Sequence, residues 1–157
     1  PDITLMDLQM PVKGGVEAIA DIRAVASSAR IIVLTTFEGD VQAMRALKAG
    51  ASGYLLKSSL RRELIDTIRS VHGGKRYVLP KVAQEIALHA AEETLTAREI
   101  SILERVAVGS ANKLIAYEMS LSEDTVKSHL RSIYSKLGVN DRTQSVTGAL
   151  RRGFIAL

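Results

Sequence analysis

The stretch "ITLMDLQMP", residues 3–11, joins a short apolar run to a carboxylate at its end. Ile3, Leu5 and Met6 are typical of a buried strand, and Asp7 follows at the carboxyl end of that strand. Open α/β sheets place their binding and reacting groups beyond the carboxyl ends of the strands. The stretch therefore predicts a parallel sheet with a carboxylate positioned for chemistry.

Strand and helix patterns alternate through the first half of the chain. The runs "RIIVLTT" (30–36) and "SGYLL" (52–56) predict two further strands. Three helical stretches separate or follow the strands: a segment that ends near Ala26, "DVQAMRALKAG" (40–50) and "SLRRELIDTIRSVHGG" (59–74). This alternation predicts an α/β domain over residues 1–75, with a parallel sheet and flanking helices.

The pattern changes after the first 75 residues. Residues 76–93 contain one predicted helix, from about Lys81, and are interpreted as a linker helix. Residues 94–157 show no strand pattern, and four short helices are predicted there. The first of these helices begins at a capping box made by Thr96 and Glu99. Glycines are predicted to end three of the four helices: Gly109, Gly138 and Gly153.

Composition and charge exclude several classes of protein. The chain has no cysteine, which excludes a disulfide framework and a Cys-ligated zinc site. No apolar run approaches the roughly 20 residues that span a bilayer, and no signal peptide is visible. We therefore expect a cytoplasmic protein with no membrane partner. Residues 125–157 hold six Lys or Arg and one Asp, a net charge of +5 that favours a polyanionic partner.

The segment "SEDTVKSHLRSIYSKLG" (122–138) predicts a helix with one narrow apolar stripe. At 100° per residue, the stripe residues lie within about 40° of one line: Val126, Leu130, Ile133 and Leu137. A predicted helix at about 111–119 precedes it across the short turn "SLS", as in a helix-turn-helix. An ordinary amphipathic helix of a small bundle would show the same pattern.

The local sequence resembles the LuxR/FixJ-type helix-turn-helix domain over residues 94–157. The segments that carry the resemblance are "LTAREISILERVAVG", "ANKLIAYEMSLSEDTVKSHLRSIYSKLGVNDRTQSV" and "GALRRGFI". The resemblance implies an all-α four-helix domain whose third helix reads the major groove of double-stranded DNA. It implies base contacts from Lys127, Ser128 and Arg131. It implies phosphate contacts from Thr125, His129, Lys136 and Arg142.

Two residues before and within the second helix of this domain depart from the family pattern. Ala111 stands where the family usually has Ser, so a hydroxyl that could cap the helix is lost. Leu114 stands where the family usually has Glu, so apolar surface replaces a carboxylate.

Asp7, Thr35 and Lys57 each stand at the end of a predicted strand. In a parallel sheet these three side chains meet at one edge. A carboxylate, a hydroxyl and an ammonium together suit phosphoryl transfer to the carboxylate. Asp7 would attack, Lys57 would pair with the phosphoryl oxygens, and Thr35 would donate a hydrogen bond to one of them.

These residues and their surroundings resemble the receiver domain of response regulators. The matching segments are "LMDLQMP", "VLTTF" and "KAGASGYLLK", with Tyr54 at the position of the rotating aromatic residue. The resemblance implies that a sensor histidine kinase phosphorylates Asp7 in the presence of Mg²⁺. It also implies that Thr35 and Tyr54 change position on phosphorylation.

A receiver domain is flavodoxin-like and has five strands, and this chain begins at the third. The acidic pair that follows the first strand and holds Mg²⁺ is therefore missing from the chain. Of the metal ligands that the resemblance implies, only Asp7 and the backbone carbonyl of Gln9 remain. We expect Mg²⁺ binding by this chain to be weak or absent.

The expected protein is a LuxR/FixJ (NarL-type) two-component response regulator that lacks the N-terminal part of its receiver. It is expected to be a DNA-binding transcription regulator and not an enzyme. It is also expected to be a homodimer, with Val146 and Leu150 either at the contact between modules or simply in the core. RNA polymerase is a further partner that is compatible with this expected function.

Two other functions fit parts of the pattern. One is an aspartyl-phosphate phosphatase with Asp7 as nucleophile, although Gln9 stands where such enzymes commonly carry a second Asp. The other is a protein-docking module that binds no DNA, which the net charge of +5 in residues 125–157 opposes.

Overall fold

The structure, a computed structural model, describes all residues, 1–157, which form two compact units: Pro1–His89 and Ala90–Leu157. The first unit contains a four-stranded sheet with strand order β1-β2-β3-β4. Its elements in chain order are β1 (Thr4–Asp7), α1 (Gly15–Val25), β2 (Ile31–Thr35), α2 (Asp40–Ala49), β3 (Gly53–Leu56), a 3₁₀ turn (Lys57–Ser59), α3 (Leu60–His72), β4 (Tyr77–Val78) and α4 (Pro80–His89).

All strand pairs in the sheet are parallel. The central strands are apolar over most of their length, with Ile31, Ile32 and Val33 fully inaccessible and Tyr54 and Leu55 equally buried on β3. Continuous apolar runs are typical of parallel strands with both faces covered. The predicted α/β architecture is thus confirmed, and β1 is an edge strand of the sheet.

A fourth strand and the helix after it complete the first unit. Tyr77 pairs with Gly53 across β3 and β4, and its backbone N–H donates to the carbonyl of Ser52 at 3.0 Å. The sequence analysis assigned this segment to the linker, because two residues are too few to show a strand period. The predicted linker helix is present as α4, and its Val82 is fully buried in the same core as Leu79.

The second unit consists of four helices: α5 (Ala97–Ala107), α6 (Asn112–Glu118), α7 (Glu123–Leu137) and α8 (Arg142–Arg152). The predicted capping box is present, since the hydroxyl of Thr96 accepts from the Glu99 N–H and the Glu99 carboxylate accepts from the Thr96 N–H. The Ser122 hydroxyl caps α7. The predicted helix ends are also confirmed, with Gly138 and Gly153 in the left-handed conformation.

Helix α7 lies at the centre of the second unit and packs against α5, α6 and α8. Its residues Val126 and Ile133 are fully buried together with Ile102, Leu103 and Ile115. The predicted apolar stripe is therefore the face of α7 that enters the core, and the opposite face is open. None of the helices in either unit has the length and apolar character needed to cross a membrane.

Candidate functional site

The carboxyl edge of the sheet brings together the three residues that the sequence analysis singled out. Asp7 ends β1, Thr35 ends β2, and Lys57 directly follows β3. Nζ of Lys57 lies 2.5 Å from Oδ2 of Asp7, and the backbone N–H of Gln9 donates to Oδ1 at 3.0 Å. The Asp7 side chain is 32% exposed. The edge therefore carries a carboxylate that solvent can reach.

The electrostatics of this edge favour an ionised carboxylate. The hydrogen bond from Lys57 is the largest effect on Asp7 and holds its pKa below the usual range. Slight burial opposes that shift, and the Gln9 N–H supports it. An ionised carboxylate held by one ammonium has the electronic character of a nucleophile for phosphoryl transfer.

Thr35 and Tyr54 both contact the backbone of Phe37. The Phe37 N–H donates to Oγ1 of Thr35 at 3.2 Å, and the Tyr54 hydroxyl donates to the Phe37 carbonyl at 3.0 Å. Both side chains are fully buried, and burial raises the pKa of Tyr54, so the phenol stays neutral. Thr35 only accepts in this contact, which leaves its own hydroxyl hydrogen to donate elsewhere.

Gly15 is a positioning residue that the sequence analysis did not single out. A Cβ at this position would lie 2.2 Å from the backbone oxygen of Asp7 and 2.7 Å from Cα of Leu8. The Gly15 N–H donates to the Leu8 carbonyl at 3.1 Å. The start of α1 thus packs directly on the backbone that carries Asp7, and only glycine fits there. The Gly14-Gly15 pair after a strand end was the available signal.

The residues of this chain do not complete a magnesium site. Mg²⁺ requires near-octahedral oxygen ligation. Asp7 supplies a single carboxylate whose two oxygens already accept from Lys57 and Gln9. The chain contains no group of three or more His, Asp or Glu side chains that could hold a metal ion.

The open face of α7 presents the residues that were predicted to read DNA bases. Lys127, Ser128 and Arg131 are all exposed. Lys127 lies 3.8 Å from carboxylates of both Glu123 and Asp124, distances too long for a direct hydrogen bond. Its ammonium is therefore free to exchange these loose contacts for another partner.

The other predicted DNA contacts are less exposed. Thr125 and His129 are half-buried, and the Thr125 hydroxyl lies 2.7 Å from that of Ser122. The side chain of Lys136 is 17% exposed, and its Nζ lies 3.0 Å from Oε2 of Glu99.

Arg142 is also held inside the second unit. It donates to Oδ1 of Asn112 at 2.8 Å and to the Ser110 carbonyl. The phosphate contacts of Lys136 and Arg142 stay predictions.

Two family descriptions match the chain, one in each unit. "Response regulator receiver domain" matches residues 1–69, and "Bacterial regulatory proteins, luxR family" matches residues 93–149. The transcriptional regulatory protein DesR of Bacillus subtilis (strain 168) is 40% identical over 154 residues, which cover 98% of this chain and 75% of DesR. The chain belongs to this family of response regulators.

This response regulator is also similar to solved structures. A LuxR-family two-component response regulator from Aurantimonas sp. SI85-9A1 is 44% identical, with 59% of this chain and 66% of that chain covered and a TM-score of 0.55. RcsB of Salmonella enterica serovar Typhimurium, bound to promoter P1flhDC with phosphomimetic BeF3⁻, covers 94% of this chain and 74% of its own, with a TM-score of 0.66. At 24% identity it shows the fold alone.

The family matches and the relatives confirm two expectations about this response regulator. It combines a parallel α/β receiver-like unit with a helix-turn-helix unit. It is a DNA-binding transcription regulator of a two-component system. The roles of its individual residues stay predictions.

Proposed function

We propose that Asp7 accepts the phosphoryl group through which this regulator is controlled. The observation that carries the proposal is the 2.5 Å contact between Lys57 and Asp7 at the carboxyl edge of the sheet. The carboxylate is ionised, partly exposed and next to a single fixed cation. A sensor histidine kinase is the proposed donor.

The transfer needs only local movement of this chain's own groups. An oxygen of Asp7 attacks phosphorus, and the bond between phosphorus and the donor breaks. Lys57, already at the carboxylate, stays to neutralise the phosphoryl oxygens. The Thr35 hydroxyl turns its free hydrogen toward one of these oxygens.

The proposed switch works through the backbone of Phe37. Thr35 accepts from the N–H of this residue, and Tyr54 donates to its carbonyl. A shift of Thr35 toward a phosphoryl group would weaken the first contact and move the segment that Tyr54 holds. The surface formed by α2, β3 and α3 is proposed to change with it.

Asp7 and the backbone carbonyl of Gln9 are proposed as two ligands of Mg²⁺. An octahedral ion needs more oxygen ligands than these two. We therefore expect Mg²⁺ to bind residues 1–157 weakly.

Helix α7 is the proposed reading element for double-stranded DNA. Lys127, Ser128 and Arg131 lie on its open face, where a major groove can receive them. Thr125 and His129 flank that face and are proposed to approach phosphates. We propose the cytoplasm as the location of the protein.

A homodimer is the proposed binding form. A four-helix module of this class offers a small interface, and paired modules bind half-sites about one helical turn apart. Val146 and Leu150 on α8 are half-buried and are the proposed contact between modules. RNA polymerase is a further proposed partner at the promoter.

We propose no enzymatic role beyond acceptance of the phosphoryl group. A phosphatase with Asp7 as nucleophile would need a proton shuttle, and the Gln9 side chain cannot supply one. A docking module without DNA binding would not need the exposed cations of α7.

Phosphorylation of the product of the complete reading frame that encodes residues 1–157 tests the proposal. With a cognate kinase or acetyl phosphate, Asp7→Asn is expected to abolish labelling, because an amide is not a nucleophile here. Asp21→Asn, at an exposed position on α1, is the matched control and should keep full labelling. Labelling that persists in Asp7→Asn would assign the chemistry to another residue.

A further inference from the structure

A buried carboxylate connects the first helix of the second unit to α7. The Glu99 side chain is 4% exposed, and both of its oxygens are used. Oε2 accepts from the Thr96 N–H at 2.8 Å and from Nζ of Lys136 at 3.0 Å, and Oε1 accepts from the Ser132 hydroxyl at 2.7 Å. One residue thus caps α5 and binds two successive turns of α7.

The charge of Glu99 is maintained in spite of its burial. Burial raises the pKa of this carboxyl, but the hydrogen bonds from Thr96, Ser132 and Lys136 outweigh it and hold the pKa below its usual range. A buried charge with complete hydrogen bonding defines one geometry, because any displacement leaves it unpaired. The three partners therefore restrict where α7 can lie relative to α5.

The position of this contact on α7 matters for the reading face. At 100° per residue, Ser132 and Lys136 lie on one flank of the helix, about 100–140° from Arg131. Ser132 and Lys136 lie outside the apolar stripe of α7, where a contact resists rotation about the helix axis. Two hydrogen bonds on the flank restrain that rotation directly and so set the direction of Arg131.

We propose that Glu99, through Ser132 and Lys136, sets the rotation of α7 and thereby the selectivity of DNA reading. Lys136 is then a positioning residue and makes no phosphate contact. The inference rests on the proposed function of α7 as the reading helix.

Salt dependence separates this role from a phosphate contact. Binding of the full chain is measured at several salt concentrations, on a duplex selected from a random library with the wild-type protein and on a scrambled duplex. A lysine that contacts a phosphate adds about one to the magnitude of the slope of log binding constant against log salt concentration. Removal of that lysine lowers the magnitude of the slope by the same amount. Lys136→Met is expected to leave the slope unchanged and to lower the preference for the selected duplex about tenfold.

Lys127→Met is the matched control on the same helix. Lys127 is an exposed cation of the reading face under the proposed function, so its removal should weaken binding to the selected duplex more than binding to the scrambled one. If Lys127→Met changes nothing, the DNA surface of α7 has been assigned wrongly. That failure is distinct from a failure of the inference about Glu99.

Two further variants keep the test decisive if Lys136→Met folds poorly. Ser132→Ala removes one hydrogen bond to Glu99 and should lower the preference about threefold at an unchanged slope. In Lys136→Met the buried carboxylate of Glu99 loses its cation. Glu99→Gln removes the charge of that carboxylate, so the double variant Glu99→Gln/Lys136→Met should bind the selected duplex no more weakly than Lys136→Met alone. Loss of folded protein alone would weaken binding to both duplexes equally and leave the preference unchanged.

The inference is overturned by either of two results. In one, Lys136→Met lowers the slope by about one and weakens binding to both duplexes in parallel, as a phosphate contact would. In the other, Lys136→Met and Ser132→Ala both leave the preference for the selected duplex unchanged.

Discussion

Nζ of Lys57 lies 2.5 Å from Oδ2 of Asp7, although 50 positions separate the two residues in the chain. The parallel sheet produces this contact, because Asp7 ends β1 and Lys57 begins the turn after β3. The two strands are not neighbours, and β2 lies between them. The contact therefore depends on the whole sheet edge being in register.

Removal of the Lys57 charge should raise the pKa of Asp7. The hydrogen bond from Lys57 is the main cause of the lowered value, so in Lys57→Met the pKa should return toward that of an ordinary aspartate. NMR titration of the Asp7 carboxyl carbon measures the shift. Lys13→Met removes an exposed ion pair with Asp21 and should leave Asp7 unchanged.

The same shift predicts a pH dependence of stability. The pKa of Asp7 is lower in the folded state than in the unfolded state, so the Lys57–Asp7 contact stabilises the fold at pH values above the unfolded-state pKa. This stabilisation is lost as the pH falls through the folded-state pKa. Both side chains are about a third exposed or more, so the effect should be small. In urea unfolding, Lys57→Met should remove the Asp7 component of the acid-side decline in stability. An unchanged pH profile together with an unchanged Asp7 pKa would contradict the assigned contact.

Gly15 should tolerate no side chain. In Gly15→Ala the new Cβ would meet backbone atoms of Asp7 and Leu8, so the loop or α1 must shift. The expected loss is about 1–3 kcal/mol in the free energy of unfolding, measured in urea. Gly14→Ala is the matched control, because a Cβ there meets nothing within 4 Å. Equal losses in the two variants would contradict the close packing of α1 on the Asp7 backbone.

The second unit should be stabilised by a hydroxyl at position 111. Ala111 has the extended backbone of an N-cap, with φ −70° and ψ 152°, but no side chain to accept from the start of α6. Ala111→Ser should therefore raise the free energy of unfolding of this unit by about 1 kcal/mol. Ala97→Ser, at the first residue of α5, is the control and should have little effect. A thermal melt followed by the circular dichroism of the helices measures the stability of both variants. An unchanged stability in Ala111→Ser would mean that another group already caps α6.

The sequence predicts much of this fold because its signals are local. The strand runs before Asp7 and Thr35, the Thr96–Glu99 capping box and the helix-ending Gly138 each need only a few neighbouring residues to be recognised. The convergence of Asp7, Thr35 and Lys57 also follows from parallel topology. These features were predicted and are present.

The features that the sequence did not predict depend on distant contacts. Strand β4 has two residues, and only pairing with β3 defines it. The close approach of Gly15 to Asp7 depends on where α1 packs. Lys136 has the same cationic side chain as Lys127, and only the fold shows that it reaches Glu99 rather than solvent.

Arg131 on α7 provides the most direct test of the central claim, that this protein controls transcription by reading DNA with that helix. Affinities of wild type and Arg131→Ala are measured on the library-selected duplex and on its scrambled counterpart at one fixed salt concentration. Arg131→Ala is expected to weaken binding to the selected duplex by about 1–3 kcal/mol, with a smaller loss on scrambled DNA. Equal losses on the two duplexes, or no loss on either, would contradict the assignment of α7 as the reading helix.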